Sequence, residues 1–303
     1  MTIMATEKQN STTVPTGDTL VDRLKVLIHS VLSNRRCAVG LTLLTPIVIL
    51  TVLAPIIAPY NPTETHMGAQ LASPGGKFLL GTDHLGRDLF SRVLYGGRSS
   101  LLLGVTSTGL AMSMGVPIGV FSGYIGGRVD ELIMRLMDTL MSIPSLLLAL
   151  LIVAMMGPGL FNAVIAIATV YTPRIARVVR SSTLSVKQEE FIRAAEARGE
   201  SRLYICFREI LPNISSPVIV EGSIRVGFAI LTGASLSFLG LGTQPPTPDW
   251  GYMISTAYDH LWSTIWYWLW PSVWLGATIL GFNLLGDGLR DVLDPRVEES
   301  KVM

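Results

Sequence analysis

Long stretches without a charged residue are the feature that most constrains this chain. Residues 37–58, 100–121 and 139–173 contain no Asp, Glu, Lys or Arg. A helix needs ~20 apolar residues to cross the hydrocarbon core of a bilayer, and each stretch is long enough for at least one crossing. Only 15% of the 303 residues are charged and 49% are hydrophobic, whereas soluble domains average roughly 25% charged residues. The sequence therefore predicts an all-α protein that crosses a membrane several times.

Six spans account for the apolar sequence. The longest stretch is interrupted by Gly157-Pro158-Gly159, a combination that breaks helices. We therefore expect a tight helical hairpin there, with one span on each side. Two further apolar runs lie at about 214–238 and 265–285. An even number of spans places both termini on the same side of the membrane.

Basic residues predict which side that is. Residues 174–208 hold eight Lys or Arg, and residues 239–264 hold none. Further basic residues lie in the two tails: Arg35, Arg36, Arg290, Arg296 and Lys301. Cytoplasmic segments of membrane proteins carry an excess of Lys and Arg. The pattern predicts that both termini and the charged segment before residue 214 are cytoplasmic.

The loop over residues 59–98 must then lie outside, although it is also basic. It carries Lys77, Arg87, Arg92 and Arg98, partly offset by Asp83 and Asp88. From Leu85 onward its polar and apolar residues separate onto two faces at helical spacing. This segment is either a helix lying in the outer membrane interface or a plain loop that leads into the second span.

Several function classes have no support in the sequence. The net charge is +1, which argues against a nucleic-acid partner. Neither the phosphate-binding Gly-x-x-x-x-Gly-Lys-Ser/Thr loop nor a His-Glu-x-x-His or Gly-x-Ser-x-Gly motif occurs. Cys37 and Cys206 lack metal-ligand spacing. We expect no catalytic residue, no metal and no cofactor in this chain.

The charged insert at 187–212 is the best candidate for a functional site. Gly199 is expected to end or bend a first short helix, Glu200-Ser201 to cap a second, and Pro212 to mark the return to the membrane. Five residues of the insert fall on one side of a helix: Phe191, Ala194, Ala195, Arg198 and Arg202. We interpret the insert as a docking element through which another protein moves the membrane part.

The insert also resembles a known motif. Ala194-Ala195-x-x-x-Gly199, followed by Leu211-Pro212, resembles the EAA loop of binding-protein-dependent ABC importers. The resemblance implies an ATPase-coupling role for Arg193, Ala194, Ala195, Gly199, Leu211 and Pro212. In that family the loop forms a coupling helix that docks in a groove of the ATPase subunit. Arg193 stands where a Glu is usual, and Ile210 directly precedes Leu211, so this copy departs from the pattern twice.

Three other segments are similar to one branch of these importers. They are Leu80-Gly81-Thr82-Asp83 with its continuation to Gly96, the stretch from Leu236 to Gly251 with Gln244-Pro245-Pro246, and Gly286-Asp287-Gly288 with Leu293-Asp294-Pro295. They resemble the second permease subunit of dipeptide, oligopeptide and nickel importers, over roughly residues 35–296. The resemblance implies a type I ABC importer permease fold with four segments. These are a cytoplasmic tail (1–36), a first span with an outer segment (37–97), a transmembrane core of five helices (98–287) and a second cytoplasmic tail (288–303).

The resemblance also implies a mechanism and partners. A sister permease, two ATP-binding subunits and an extracytoplasmic binding protein would complete a peptide importer of the inner membrane that works by alternating access. ATP and Mg would be bound by the partner ATPase subunits, so this chain would be a transport subunit without its own ATPase site. A nickel or glutathione permease of the same family is an alternative, and an ion-coupled secondary transporter is a more distant one.

Three ionisable residues fall within or beside the predicted spans: Asp138, Glu221 and Arg225. Glu221 and Arg225 are four residues apart in the order that favours an ion pair on a helix. Charged groups in a span are candidates for function by default, so we assign the three a structural or gating role. Gly115, Gly119, Gly123 and Gly127 recur every fourth residue, which predicts close packing between helices.

Overall fold

The computed structural model describes residues 29–293, and within that range the secondary structure is helical, without a β-strand. The helices are α1 (Arg35–Val52), α2 (Ala54–Ile57), α3 (Leu89–Ile125), α4 (Gly127–Ser142), α5 (Ser145–Met156), α6 (Leu160–Val186), α7 (Glu190–Ala197), α8 (Arg202–Tyr204), a π-helix (Ile205–Ile210), α9 (Leu211–Asn213), α10 (Ser215–Phe238), α11 (Trp250–Tyr258) and α12 (Trp266–Leu293). The expected all-α architecture is confirmed. Parts of the two predicted tails, residues 1–28 and 294–303, lie outside the described residues.

Four described helices are long and apolar enough to cross a membrane, namely α1, α3, α10 and α12. The consecutive helices α4 and α5 count as a fifth if they form one broken span, because they are bent by 89°. Helix α6 has 27 residues, about 40 Å at 1.5 Å per residue, but contains Arg174, Arg177 and Arg180. Four of the six expected spans thus match apolar helices and a fifth matches the bent pair; that α6 is the sixth span stays a prediction.

The third predicted span, the part of the uncharged run between Thr139 and Gly157, is not one continuous helix. Helix α4 ends at Ser142, Ile143 is extended, and α5 starts only at Ser145. Pro144 causes this break, since proline lacks an N–H and disfavours helical geometry in the preceding residue. The predicted hairpin at Gly157-Pro158-Gly159 is confirmed: Gly157 and Gly159 have φ angles of 92° and 148°. The Asn162 side chain closes the hairpin by donating to the Met156 and Gly157 carbonyls, both at 3.0 Å.

Helices α3 and α6 form the most extensive contact in the described bundle. Three of the four periodic glycines lie in this contact: Gly115 faces Ile175, Gly119 faces the Ala176 carbonyl and Val179, and Gly123 faces Thr183. Small residues at this spacing let two backbones approach closely. Gly127 is the exception, since it starts α4 with a φ of 60° and has no neighbouring atom within 4 Å of the site of a Cβ.

The outer segment before α3 is a folded unit built on buried charges. Asp83 is fully buried, and its carboxylate accepts a 2.6 Å hydrogen bond from Arg87. Arg92 is 1% exposed and donates to the Pro62 carbonyl at 2.8 Å. Asp88 caps α3 by accepting from the Ser91 N–H at 2.8 Å. The interfacial-helix interpretation is therefore wrong: from Leu89 the segment is the first part of α3, and Arg92 points inward because partners neutralise it.

Candidate coupling site

The charged insert forms two short helices joined by a turn at Gly199, as expected. The Gly199 N–H donates to the Glu196 carbonyl at 3.0 Å, and the Glu200 N–H donates to the Ala195 carbonyl at 3.2 Å. This pair of bonds is the Schellman motif, which needs a left-handed residue after the helix end. Gly199 supplies it with a φ of 77°. Ser201 then caps α8 by accepting from the Tyr204 N–H at 3.2 Å.

An apolar underside holds the insert against the bundle. Ile192 and Ala195 of α7 are buried together with Ile205, Cys206 and Ile210 of the π-helix, and all five belong to the main hydrophobic cluster. Burial raises the pKa of the Cys206 thiol to about 11, so this thiol is protonated and inert at neutral pH. The insert is therefore a packed knob and not a free loop; we call residues 187–213 the knob.

The knob is tied to the end of α3 by polar contacts. The Tyr124 hydroxyl donates to Glu196 Oε1 at 3.1 Å, and Lys187 Nζ donates to the Tyr124 carbonyl at 2.6 Å. The rings of Phe121 and Phe207 meet edge to face with centroids 5.8 Å apart. The knob therefore contacts the C-terminal end of α3, the longest of the described helices, directly.

The opposite side of the knob is exposed and partly apolar. Phe191, Leu203 and Tyr204 are 38%, 60% and 41% exposed, and the exposed residues Arg193 and Ala194 lie among them in the sequence. Exposed apolar residues rimmed by charge are typical of a protein contact surface. This side of the knob has the composition expected of a docking surface.

The six residues proposed for coupling fall into three groups. Arg193, Ala194 and Pro212 are exposed, so they can touch a partner. Ala195 is fully buried, and Leu211 is partly buried against the main cluster; these two hold the knob in place, and Gly199 sets its turn. Their role in coupling stays a prediction.

Comparison with known proteins identifies the family of the chain. Residues 115–299 match the family model described as the binding-protein-dependent transport system inner membrane component. The chain belongs to this family of transport permeases. Residues 26–74 also match the N-terminal transmembrane domain of oligopeptide transport permease C. The permease is thus a membrane subunit of a transport system, as the resemblance of its motifs predicted.

Several curated relatives of the permease are similar over most of its length. It is 42% identical to a dipeptide transport system permease protein of Alkalihalophilus pseudofirmus, over 88% of this chain and 87% of the relative. It is 41% identical to a di/tripeptide transport system permease protein of Pseudomonas aeruginosa, over 91% and 93%. A glutathione transport system permease protein of Pectobacterium atrosepticum is 45% identical over 74% and 75%.

The fold of the permease also matches a solved transporter. A chain from an inward-facing structure of the MetNI methionine ABC transporter superposes with a TM-score of 0.56, covering 67% of this chain and 96% of that one. The two are 17% identical, so the match shows a shared fold alone. The expected ABC permease fold is confirmed.

The intramembrane candidates of the permease form ion pairs. Arg225 Nε lies 2.5 Å from Glu221 Oε1, one turn apart on α10, as the spacing predicted. Asp138 pairs with Arg177 of α6, and both side chains are about half exposed. A third pair escaped the sequence analysis: Arg180 Nε donates to Asp130 Oδ1 at 2.6 Å.

This missed pair joins three helices near the knob. Asp130 lies on α4 and Arg180 on α6, and Ser122 of α3 also donates to the Asp130 carboxylate. The carboxylate is largely buried, and breaking a buried ion pair by removing one partner costs about 3–5 kcal/mol. Residues 50 positions apart leave no periodic signal, so only the fold brings them together.

Proposed function

We propose that the permease imports dipeptides and other short peptides across the inner membrane, driven by ATP hydrolysis on partner subunits. Most of the curated relatives reported above are named for di- or tripeptide transport, which supports the substrate class. A glutathione permease is a second candidate, because one relative is named for it at 45% identity. A nickel permease remains an alternative from the motif resemblance. The permease itself would hold no nucleotide, and ATP and Mg would bind the partners.

The proposed complex contains a sister permease, two ATP-binding subunits and an extracytoplasmic binding protein. The observation that carries the proposal is the knob, which is exposed and partly apolar on one side, is bonded to α3 on the other, and follows α6 directly in the chain. The excess of basic residues around it supports a cytoplasmic position, with both termini on the same side. Closure of an ATPase dimer would then push the knob, and α3 and α6 would turn with it.

Site-specific cross-linking tests the docking role. Single cysteines replace Arg193 or Leu203 on the exposed side of the knob, and the native Cys37 and Cys206 are both buried. In the assembled transporter, a short bifunctional reagent should link either cysteine to an ATP-binding subunit, with a yield that changes when ATP is added. The matched control is Met67→Cys in the outer segment, where the side chain is 99% exposed.

Two results would contradict the docking role. One is equal cross-linking of the ATP-binding subunit from Met67→Cys. The other is no adduct from either knob cysteine in a transporter that still hydrolyses ATP. Competition of labelled dipeptide uptake by unlabelled glutathione or nickel then separates the candidate substrates.

A further inference from the structure

Two arginines from different helices meet one buried tyrosine in the bundle. Tyr171 of α6 is 3% exposed. The guanidinium carbon of Arg174 lies 6.0 Å from the centroid of its ring, and that of Arg225 on α10 lies 5.7 Å from it. The Tyr171 hydroxyl is held by Thr232 Oγ1 at 2.7 Å and by the Phe228 carbonyl at 3.2 Å. The ring therefore sits fixed between α6 and α10, and two cations lie close to it.

The charges of this cluster do not balance. Arg225 pairs with Glu221, with Nε 2.5 Å from Oε1. Arg174 donates to the Ser145 hydroxyl at 2.8 Å, and among residues 29–293 it has no carboxylate within 4.0 Å. The cluster carries one more positive than negative charge. An uncompensated cation within a span is costly and marks a solute path or another function by default.

The cluster lies near the middle of α6 and α10; the uncharged run ends at Pro173, but α6 continues through Arg174 to Val186. Arg174 is about 21 Å along α6 from Leu160, and Arg225 is about 15 Å along α10 from Ser215, at 1.5 Å per residue. Ser145, which accepts from Arg174, is the first residue of α5, where the bent span breaks. In transporters, broken spans commonly form part of the binding site for a charged solute.

Two cavities open on the same face of α10, one on each side of the cluster. A cavity of about 640 Å³ near the knob includes Glu221 and Ile224 in its wall. A cavity of about 330 Å³ toward the other end of α10 includes Leu231, Ser235 and Phe238. Arg225 and Phe228 continue this stripe at spacings of three and four residues. Glu221 lines the larger cavity and its Oε1 lies 2.5 Å from Arg225 Nε, so the guanidinium of Arg225 lies directly behind the wall of that cavity.

We propose that Arg174 and Arg225 bind the terminal carboxylate of a peptide that enters the larger cavity beside Glu221. This inference rests on the proposed peptide substrate and names its contact in the membrane. Guanidinium groups bind carboxylates through paired, charge-assisted hydrogen bonds. Glu221, one turn from Arg225, is placed for the ammonium group of the same zwitterion. Tyr171 is a positioning residue, since it holds the two guanidinium groups at one level.

The test compares a peptide with and without its carboxylate. The complete transporter, with one binding protein, is reconstituted in lipid vesicles. ATP-driven uptake of dialanine and of dialanine amide is measured at concentrations that load the binding protein equally. Each variant is scored by the ratio of free-acid to amide uptake, so the preference of the binding protein cancels between variants.

The variants separate charge from structure. Arg174→Gln should lower the ratio about tenfold, the effect of losing one charged hydrogen-bonding partner. Arg174→Lys keeps the charge without the planar fork and should lower the ratio about threefold. The matched control is Arg135→Gln on α4, where the side chain is 76% exposed, and it should keep the wild-type ratio.

The outcomes are distinct. A wild-type ratio in Arg174→Gln overturns the carboxylate contact. If that variant does not assemble by gel filtration, an unchanged ratio in Arg174→Lys overturns the contact instead. Failure of the wild-type transporter to take up either peptide with ATP overturns the proposed substrate and not the geometry of the cluster.

Discussion

Gly199 shows how one residue fixes the shape of the knob. Its φ of 77° closes the Schellman motif, yet a Cβ at this position would meet no atom within 4 Å. The constraint is therefore conformational and not steric. A left-handed backbone costs most residues roughly 1–2 kcal/mol, while Asn tolerates it.

Two replacements of Gly199 should distinguish the conformational constraint from a steric one. We expect Gly199→Val to reduce ATP-driven peptide uptake at least about tenfold, because a β-branched residue strains the turn and displaces α7. Gly199→Asn, which is also larger than Gly, should retain most of the uptake. Uptake by the assembled transporter is the measurement, and equal activity of the two variants would refute the conformational role.

His84 is a second residue whose environment predicts a measurable effect. Its Nδ1 lies 2.7 Å from the Tyr267 hydroxyl, which itself donates to Thr256 Oγ1 at 2.8 Å, so a neutral His84 donates through Nδ1–H. Its ring stacks on His260 with centroids 5.5 Å apart. Burial, first of all, lowers the pKa of His84; Arg87, His260 and Arg92 lower it further, and Asp83 opposes them.

This lowered pKa gives a signed pH dependence. The unfolded chain, with a His pKa of about 6.5, binds a proton more readily than the folded one. The stability contributed by neutral His84 is therefore complete above about pH 7 and is lost as the pH falls below about 6.5. The melting temperature in nanodiscs should fall more between pH 7.5 and 5.5 for the wild type than for His84→Gln. His29→Gln, at an exposed position, should keep the wild-type slope; an unchanged slope in His84→Gln would refute the account.

At the scale of elements, local patterns predicted helices well and their limits poorly. The glycine spacing indicated a close helix contact, and α3 meets α6 there. The run at 100–121 indicated a span, but α3 begins at Leu89, because Asp88 caps the helix through the Ser91 N–H and Arg92 finds a distant partner in the Pro62 carbonyl. The Gly199 turn could be predicted because its bonds are local. The Tyr124–Glu196 contact, 72 residues apart, could not.

The contact between α3 and α6 makes a matched glycine test available. A Cβ on Gly119 would lie 2.5 Å from the Ala176 carbonyl and 2.7 Å from Val179, whereas one on Gly109 would meet nothing within 4 Å. We expect Gly119→Ala to destabilise the bundle by about 1–3 kcal/mol, as overpacking commonly does. Gly109→Ala in the same helix should be neutral. Thermal unfolding in nanodiscs measures the effect of both substitutions. Equal melting temperatures of the two variants would contradict the close packing of α3 against α6 at Gly119.

At the scale of the whole molecule, we propose that the permease passes movement of the knob on to its spans through α3 and α6. The knob is bonded to α3 and follows α6 in the chain, and the cluster at Tyr171 lies where α6 meets α10. The sequence motifs could predict the knob because its residues are contiguous in the chain. The cluster combines residues from α6 and α10 with the break before α5. Contacts between residues so far apart in the chain cannot be predicted from composition or local motifs.

The most direct test of the central claim, that the energy for transport comes from partner ATPases, is labelled dipeptide uptake into vesicles with and without those partners. Vesicles with the complete transporter, binding protein and ATP should concentrate the peptide, and omission of ATP should abolish uptake. Vesicles with this permease alone should not concentrate it under an imposed proton or sodium gradient. Gradient-driven accumulation by the permease alone would contradict the account.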